Sequence, residues 1–193
     1  MLVDRDRGQH STTSGTAVSE FEKAVFAVAA HRPAAAALKA AIKADEDLVA
    51  GHALKGFGVA LLGKAEDLAA SHRALEQARA SLVRVDGGTD FERALVKALE
   101  LTSQGSFKAA AARLEARVAD HPNDFLCLKL ANALRFMTGQ PKSMRQTTSN
   151  ALAHWDKSDS GYGFVLGLHA FGPVSYTHLT LPTIPRWCRS GWA

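Results

Sequence analysis

Seven histidines and one cysteine are the residues up to Gly172 best suited to hold a metal or attack an electrophile: His10, His31, His52, His72, His121, His154, His169 and Cys127. Their spacing does not gather them. No two of these histidines form a His-x-x-x-His pair, which on one helix would aim two imidazoles at one ion. There is no Gly-x-Ser-x-Gly and no local signature of a catalytic thiol. Cys127 stands among Phe125, Leu126, Leu128 and Leu130, with only Lys129 beside it to lower its pKa. It reads as a buried, inert thiol. His52 reads as a packing residue at a helix start, making one hydrogen bond. A catalytic or metal-binding reading would need His52, His154 or His169 turned into one cavity. Spacing alone assigns no catalytic residue, no metal ligand and no cofactor-binding residue.

Gly51, Gly56, Gly58 and Gly63 crowd one segment, but not as a phosphate-binding loop. No strand precedes them and no Gly-Lys-Ser/Thr follows. A helical glycine costs about 1 kcal/mol relative to alanine, so these positions predict close helix–helix contact that offsets the loss.

The elements that must position these residues are helices. Between Thr16 and Gly172 the strong helix formers dominate and apolar residues recur at three and four spacing. Punctuation predicts nine helices. The first runs from Thr16 to His31, and Pro33 opens a second that ends near Ala44. Asp45 or Asp47 caps a third ending at Gly63, and a fourth spans Ala65 to Val85. Thr89 or Asp90 caps a fifth ending at Gly105, and Ser106 opens a sixth that stops before Pro122. Asn123 or Asp124 opens a seventh ending at Gly139, and Pro141 an eighth ending near Trp155. A ninth begins near Asp159 and stops at Gly172. Residues 1–15 read as an extended arm.

Short loops between such helices make antiparallel hairpins. Gly105 and Gly139 are 34 residues apart, the tetratricopeptide spacing, with Phe107, Ala110, Leu114 and Pro122 between them. This sets one register over Phe91 to Ser158, in which Ala110 lets two helices approach closely. Upstream the register fails, because the glycine in phase would fall at Ser71, inside a helix. The fold class that follows is all-α: a right-handed α-solenoid of tetratricopeptide-like helical hairpins over residues 16–172, truncated at its C-terminal end.

Residues 173–193 read differently. Val174 onward, Val-Ser-Tyr-Thr-His-Leu-Thr-Leu-Pro-Thr, is what GTC-TCT-TAT-ACA-CAT-CTG-ACG-CTG-CCG-ACG encodes. That DNA resembles the mosaic end and adapter of a transposase-made sequencing library. On this reading the tail is non-native and the natural coding sequence is interrupted at Gly172. The tail also holds Trp187, Trp192, Cys188 and His178.

Without Arg186 and Arg189, Lys+Arg falls from 23 to 21 against 19 acids, so the formal charge drops from +4 to +2. The basic residues are spread among acids rather than clustered, which argues against nucleic-acid binding. Apolar runs such as Phe57 to Leu62, which Gly58 interrupts, are far too short to span a bilayer. One cysteine before Gly172 allows no internal disulfide and suits a reducing compartment. The expectation is a cytoplasmic protein with neither nucleic acid nor membrane as partner.

Several residues, in order, resemble the tetratricopeptide repeat protein 38 family. They are Ser11-Thr-Thr-Ser14, Gly51-His52-Ala53, His121-Pro-Asn-Asp124 with Leu128-Lys129, Met144-Arg145, Trp155 and His169-Ala-Phe-Gly172. The resemblance covers Asp6 to Gly172, the amino-terminal part of a family member. It implies a helical-repeat protein and no established catalytic residues.

In tetratricopeptide repeats, positions two, five, nine and twelve of the first helix face the concave side. In the repeat from Phe125 these are Leu126, Lys129, Ala133 and Phe136, which makes Leu126, Lys129 and Phe136 the candidate groove contacts. The Lys/Asn clamp of chaperone-binding repeats fails here, because Ala133 holds position nine and Asn132 is out of phase. Lys129 is then expected on a solvated rim. The function expected is a non-catalytic module or scaffold that binds a protein or peptide partner. The alternative is an enzyme or metal-binding protein whose site needs a C-terminal half beyond Gly172. A truncated end, with the ninth helix stripped of its neighbour, predicts fraying or self-association.

Overall fold

In a computed structural model the described residues of the chain are all-α apart from one short pair of strands. Residues 1–5, 8–63, 66 and 68–180 are described, the last nine of them by backbone alone. The strands are β1 (Leu2–Val3) and β2 (Gln9–His10). The helices are α1 (Gly15–Ala29), α2 (Ala35–Ala44), α3 (Val49–Ala60), α4 (Leu68–Arg84), α5 (Asp90–Ser103), α6 (Phe107–Asp120), α7 (Phe125–Met137), α8 (Pro141–Leu152) and α9 (Tyr162–Thr180). Consecutive helices pack on one another throughout, and α3 also packs on α5. One apolar core runs through the stack, built on Phe21, Phe57, Leu95, Leu99, Leu114, Phe125 and Leu134.

Local chemistry accounts for most boundaries. Ser14 caps α1 by accepting from Ala17 N at 3.2 Å. Thr89 and Glu92 form a reciprocal capping box at α5. Asp124 caps α7 through Cys127 N at 3.0 Å. Helices α1, α5 and α7 close through a left-handed residue, His31 (φ 54°), Gly105 (φ 75°) and Gly139 (φ 65°). In each the following N–H reaches back to a carbonyl five residues earlier: Arg32 to Ala27, Ser106 to Leu101 and Gln140 to Arg135. His31 takes this turn without being glycine, so the sequence offered no glycine to mark it.

Helix α4 is longer than its later counterparts, with 17 residues against 14 in α6 and 12 in α8. Ser71 sits inside α4, fully buried, and its hydroxyl donates to the Gly56 carbonyl at 3.3 Å. Ala110 is fully buried as well.

Several boundaries differ from expectation. Leu48, not an aspartate, holds the N-cap position of α3, which no side chain caps. Asp45 instead accepts from Asp47 N, and Asp47 is turned to Arg84. Helix α9 begins at Tyr162 and runs to Thr180, past the expected stop at Gly172. A proline forfeits one helical hydrogen bond and bends a helix more readily than it ends one when both flanks are helical.

Within α3, packing accounts for two of the three glycines. A Cβ at Gly56 would lie 2.4 Å from Leu99 Cδ2, and one at Gly51 would lie 2.9 Å from Leu48 Cδ2. Gly58 breaks the pattern: a Cβ there meets nothing within 4 Å. Close packing does not explain its cost of about 1 kcal/mol.

Candidate functional site

The arm is extended backbone, yet it is docked rather than free. Asp4 and Gly8 close a turn between β1 and β2, with Asp4 N donating to the Gly8 carbonyl at 2.9 Å and Gly8 N to Asp4 Oδ1 at 2.7 Å. His10 is fully buried, its Nε2 bonded to Asp4 Oδ2 at 2.8 Å. Its ring meets Phe21 of α1 and Phe91 of α5 edge-on, at 5.1 and 5.3 Å between centroids. Ser11 donates to Glu92 Oε1 through both its backbone N–H (3.0 Å) and its hydroxyl (2.9 Å). Thr89 adds a bond from its hydroxyl to the Gln9 carbonyl at 2.6 Å. The Ser11-Thr-Thr-Ser14 segment thus pins the arm to α5 and caps α1.

Beneath Phe91 lies a second buried polar group. Arg117, at the end of α6, donates from Nε to Asp124 Oδ2 at 2.9 Å, with both side chains almost wholly buried. The guanidinium also stacks over the Phe91 ring at 5.6 Å. Burial pushes the Asp124 carboxyl above the usual range, against the bonds from Cys127 N and Arg117. Burial also holds the Cys127 thiol well above its ordinary pKa, and the neighbouring Asp124 adds to the shift. A thiol so placed is a poor nucleophile. These groups bond one another, so the junction fastens elements together. Sequence reading named His10 only as one of seven histidines and singled out neither Glu92 nor Arg117; Glu92 three residues after Thr89 was the one local signal on offer.

The candidate groove residues part company along α7. Leu126 is buried beside Glu22 and Val25 of α1, which line a small crevice with it. Lys129 and Ala133 are half-buried, and Phe136 is 49% exposed. Helix α1 therefore covers the amino-terminal end of the stripe and leaves the other end open. Lys129 is partly desolvated: burial lowers its pKa, and among the described residues no ion pair is formed by it. Phe136 meets the exposed Phe171 of α9 at a tilt, 5.4 Å between centroids.

The three histidines of the catalytic alternative do not share one site. His52 is buried at the start of α3, and its Nε2 bonds to the Glu46 carbonyl at 2.8 Å. His154 is exposed at the end of α8 and lines an open cleft with Glu115, Thr147 and Ser149. His169 on α9 approaches the same Ser149 hydroxyl through Nδ1 at 3.4 Å. The structure brings the last two near Ser149 and leaves His52 elsewhere.

The motif residues of the α6–α7 turn meet the end of α8. Trp155 Nε1 donates to the Pro122 carbonyl at 2.9 Å, and Asn123 Nδ2 to the His154 carbonyl at 3.1 Å. Among the described residues no group of three or more His, Cys, Asp or Glu side chains is placed to hold a metal ion. Nor is any described helix long and apolar enough to cross a membrane. Trp187, Cys188 and Trp192 lie outside the described residues. No family model and no solved structure matches the chain.

Proposed function

We propose that the chain is a non-catalytic, cytoplasmic interaction module: a right-handed, tetratricopeptide-like stack of helical hairpins of the tetratricopeptide repeat protein 38 kind. Its docking surface is the open end of the α7 stripe. The observation that carries this reading is the pair of exposed aromatic rings, Phe136 and Phe171, on one face with the half-buried Lys129. Lys129 and Phe136 are seven residues apart and so share a side of α7. Exposed aromatics beside a desolvated cation are typical of hot spots, where apolar anchors supply energy and a charge selects the partner. The matching occupant is a peptide segment with an apolar residue for the two rings and a carboxylate for Lys129. The left-handed closures at Gly105 and Gly139, 34 residues apart, support the repeat reading.

A photoreactive residue at position 136 tests this. It should cross-link one discrete partner in cells, while the same residue at the exposed Glu76 of α4 should not. With that partner purified, Phe136→Ala/Phe171→Ala should weaken binding at least ten-fold. A partner whose affinity ignores both rings, or no discrete cross-link at position 136, overturns the reading.

A further inference from the structure

A larger cavity lies away from that surface, between the α1–α2 hairpin and α3. It has a volume of about 750 Å³. Val28 of α1, Leu38 and Ile42 of α2, Phe57 of α3 and Leu130 of α7 are among its walls. Among the described residues its only charged lining residues are Arg32, Lys39 and Lys55, all exposed. None of the three has an ion-pair partner among the described residues. Among the described residues no acid lines the cavity.

Gly58 gives an independent indication. It lines this cavity from mid-α3, and its missing side chain leaves open space instead of admitting a neighbouring helix. A helical glycine that no packing contact requires keeps that volume open at a cost in helix stability. Leu62 stands 63% exposed at the lining of the same cavity.

Small-ligand sites are concave, mostly apolar and about 300–1,000 Å³, with a few polar groups that fix orientation. This cavity meets each description. A peptide helix, at about 10 Å across, would fit less than two turns into it, too short to anchor by successive turns. We propose that the cavity binds a single-chain amphipathic anion. The alkyl chain would lie against Leu38, Phe57 and Leu130, beside Gly58, and the anionic head would meet Arg32, Lys39 and Lys55. The head is a carboxylate or a phosphate, as in a fatty acid or a lysophosphatidate. This site is independent of the Phe136–Phe171 surface.

Displacement of a fluorescent fatty acid from the full chain tests the proposal, with palmitate, lysophosphatidate and hexadecanol as competitors. At least one of the two anions should displace the probe with a stoichiometry of one and at least ten-fold better than the neutral alcohol; their relative strength identifies the head group. Hexadecanol matching both anions, or no saturable displacement, overturns it. Gly58→Phe fills the cavity and should weaken anion binding at least ten-fold, with the thermal midpoint unchanged or raised. Binding retained in a folded Gly58→Phe places the probe elsewhere, on the Phe136–Phe171 rings for instance, and overturns the assignment. Lys39→Glu/Lys55→Glu alters only exposed side chains, so it decides the matter if Gly58→Phe does not fold. It should weaken anion binding at least ten-fold and leave hexadecanol unaffected; unchanged anion binding overturns the proposal.

Discussion

Ser11 and Glu92 stand 81 residues apart in the chain, and the Ser11 hydroxyl donates to the Glu92 carboxylate at 2.9 Å. The same carboxylate accepts from Thr89 N at 2.9 Å and Ser11 N at 3.0 Å. One buried side chain thus closes the capping box of α5 and holds the amino-terminal arm. Glu92→Ala strands three donors, so it should destabilise the fold by about 3 kcal/mol. Hydrogen exchange should rise over residues 8–14 well before it rises in α5. An arm that stays protected in Glu92→Ala would show that His10 and its aromatic neighbours hold it alone.

The Arg117–Asp124 pair predicts an asymmetric cost. Arg117→Met leaves a buried carboxylate unpaired and should cost about 3–5 kcal/mol. Arg117→Met/Asp124→Asn keeps a capping side chain at α7 without the charge and should recover part of that loss. The pH dependence follows from the upward shift of Asp124. A carboxyl whose folded pKa lies above its unfolded value adds stability below the unfolded pKa and loses it as pH rises through the folded one. Chemical denaturation should therefore show the Arg117→Met penalty shrinking as pH falls from neutral towards the folded pKa. A penalty that grows on acidification contradicts this account.

Cys127 should be silent towards thiol reagents in the folded protein, since burial and Asp124 both hold it protonated. In a Cys188→Ser background, Ellman's reagent should find no reactive thiol at pH 8 and one thiol in denaturant. Rapid labelling of the native protein would mean that α7 opens far more readily than its packing suggests.

Phe136 and Phe171 should mediate weak self-association of the isolated chain, because two adjacent aromatic rings lie open on its surface. Sedimentation at increasing concentration should show association in the parent and a monomer in Phe136→Ser/Phe171→Ser. A monomeric parent over the same range removes the rings as a contact between copies.

Ending the chain at Gly172 tests the adapter reading of residues 173–193. The shortened chain should melt at the same temperature as the full one. A loss of several degrees would mean that the helical turns after Gly172 contribute to the core.

The helices and most of their ends were legible in the sequence. Ser14, Thr89, Asp124, Gly105 and Gly139 act on backbone groups within five residues, so the information for each cap or stop is contiguous. Tertiary structure alone decided what those helices expose. Nothing around Leu126 announces that α1 will cover it, and nothing around Gly58 announces a cavity. Arg32, Lys39 and Lys55 read separately as ordinary surface cations until α2 and α3 bring them to one rim. The arm's attachment spans some eighty residues through Ser11, Thr89 and Glu92. Caps are short-range bonds with a local code, whereas docking of α1 and the arm sums many weak contacts between distant segments. Such a sum has no signature at any one position until the chain is folded.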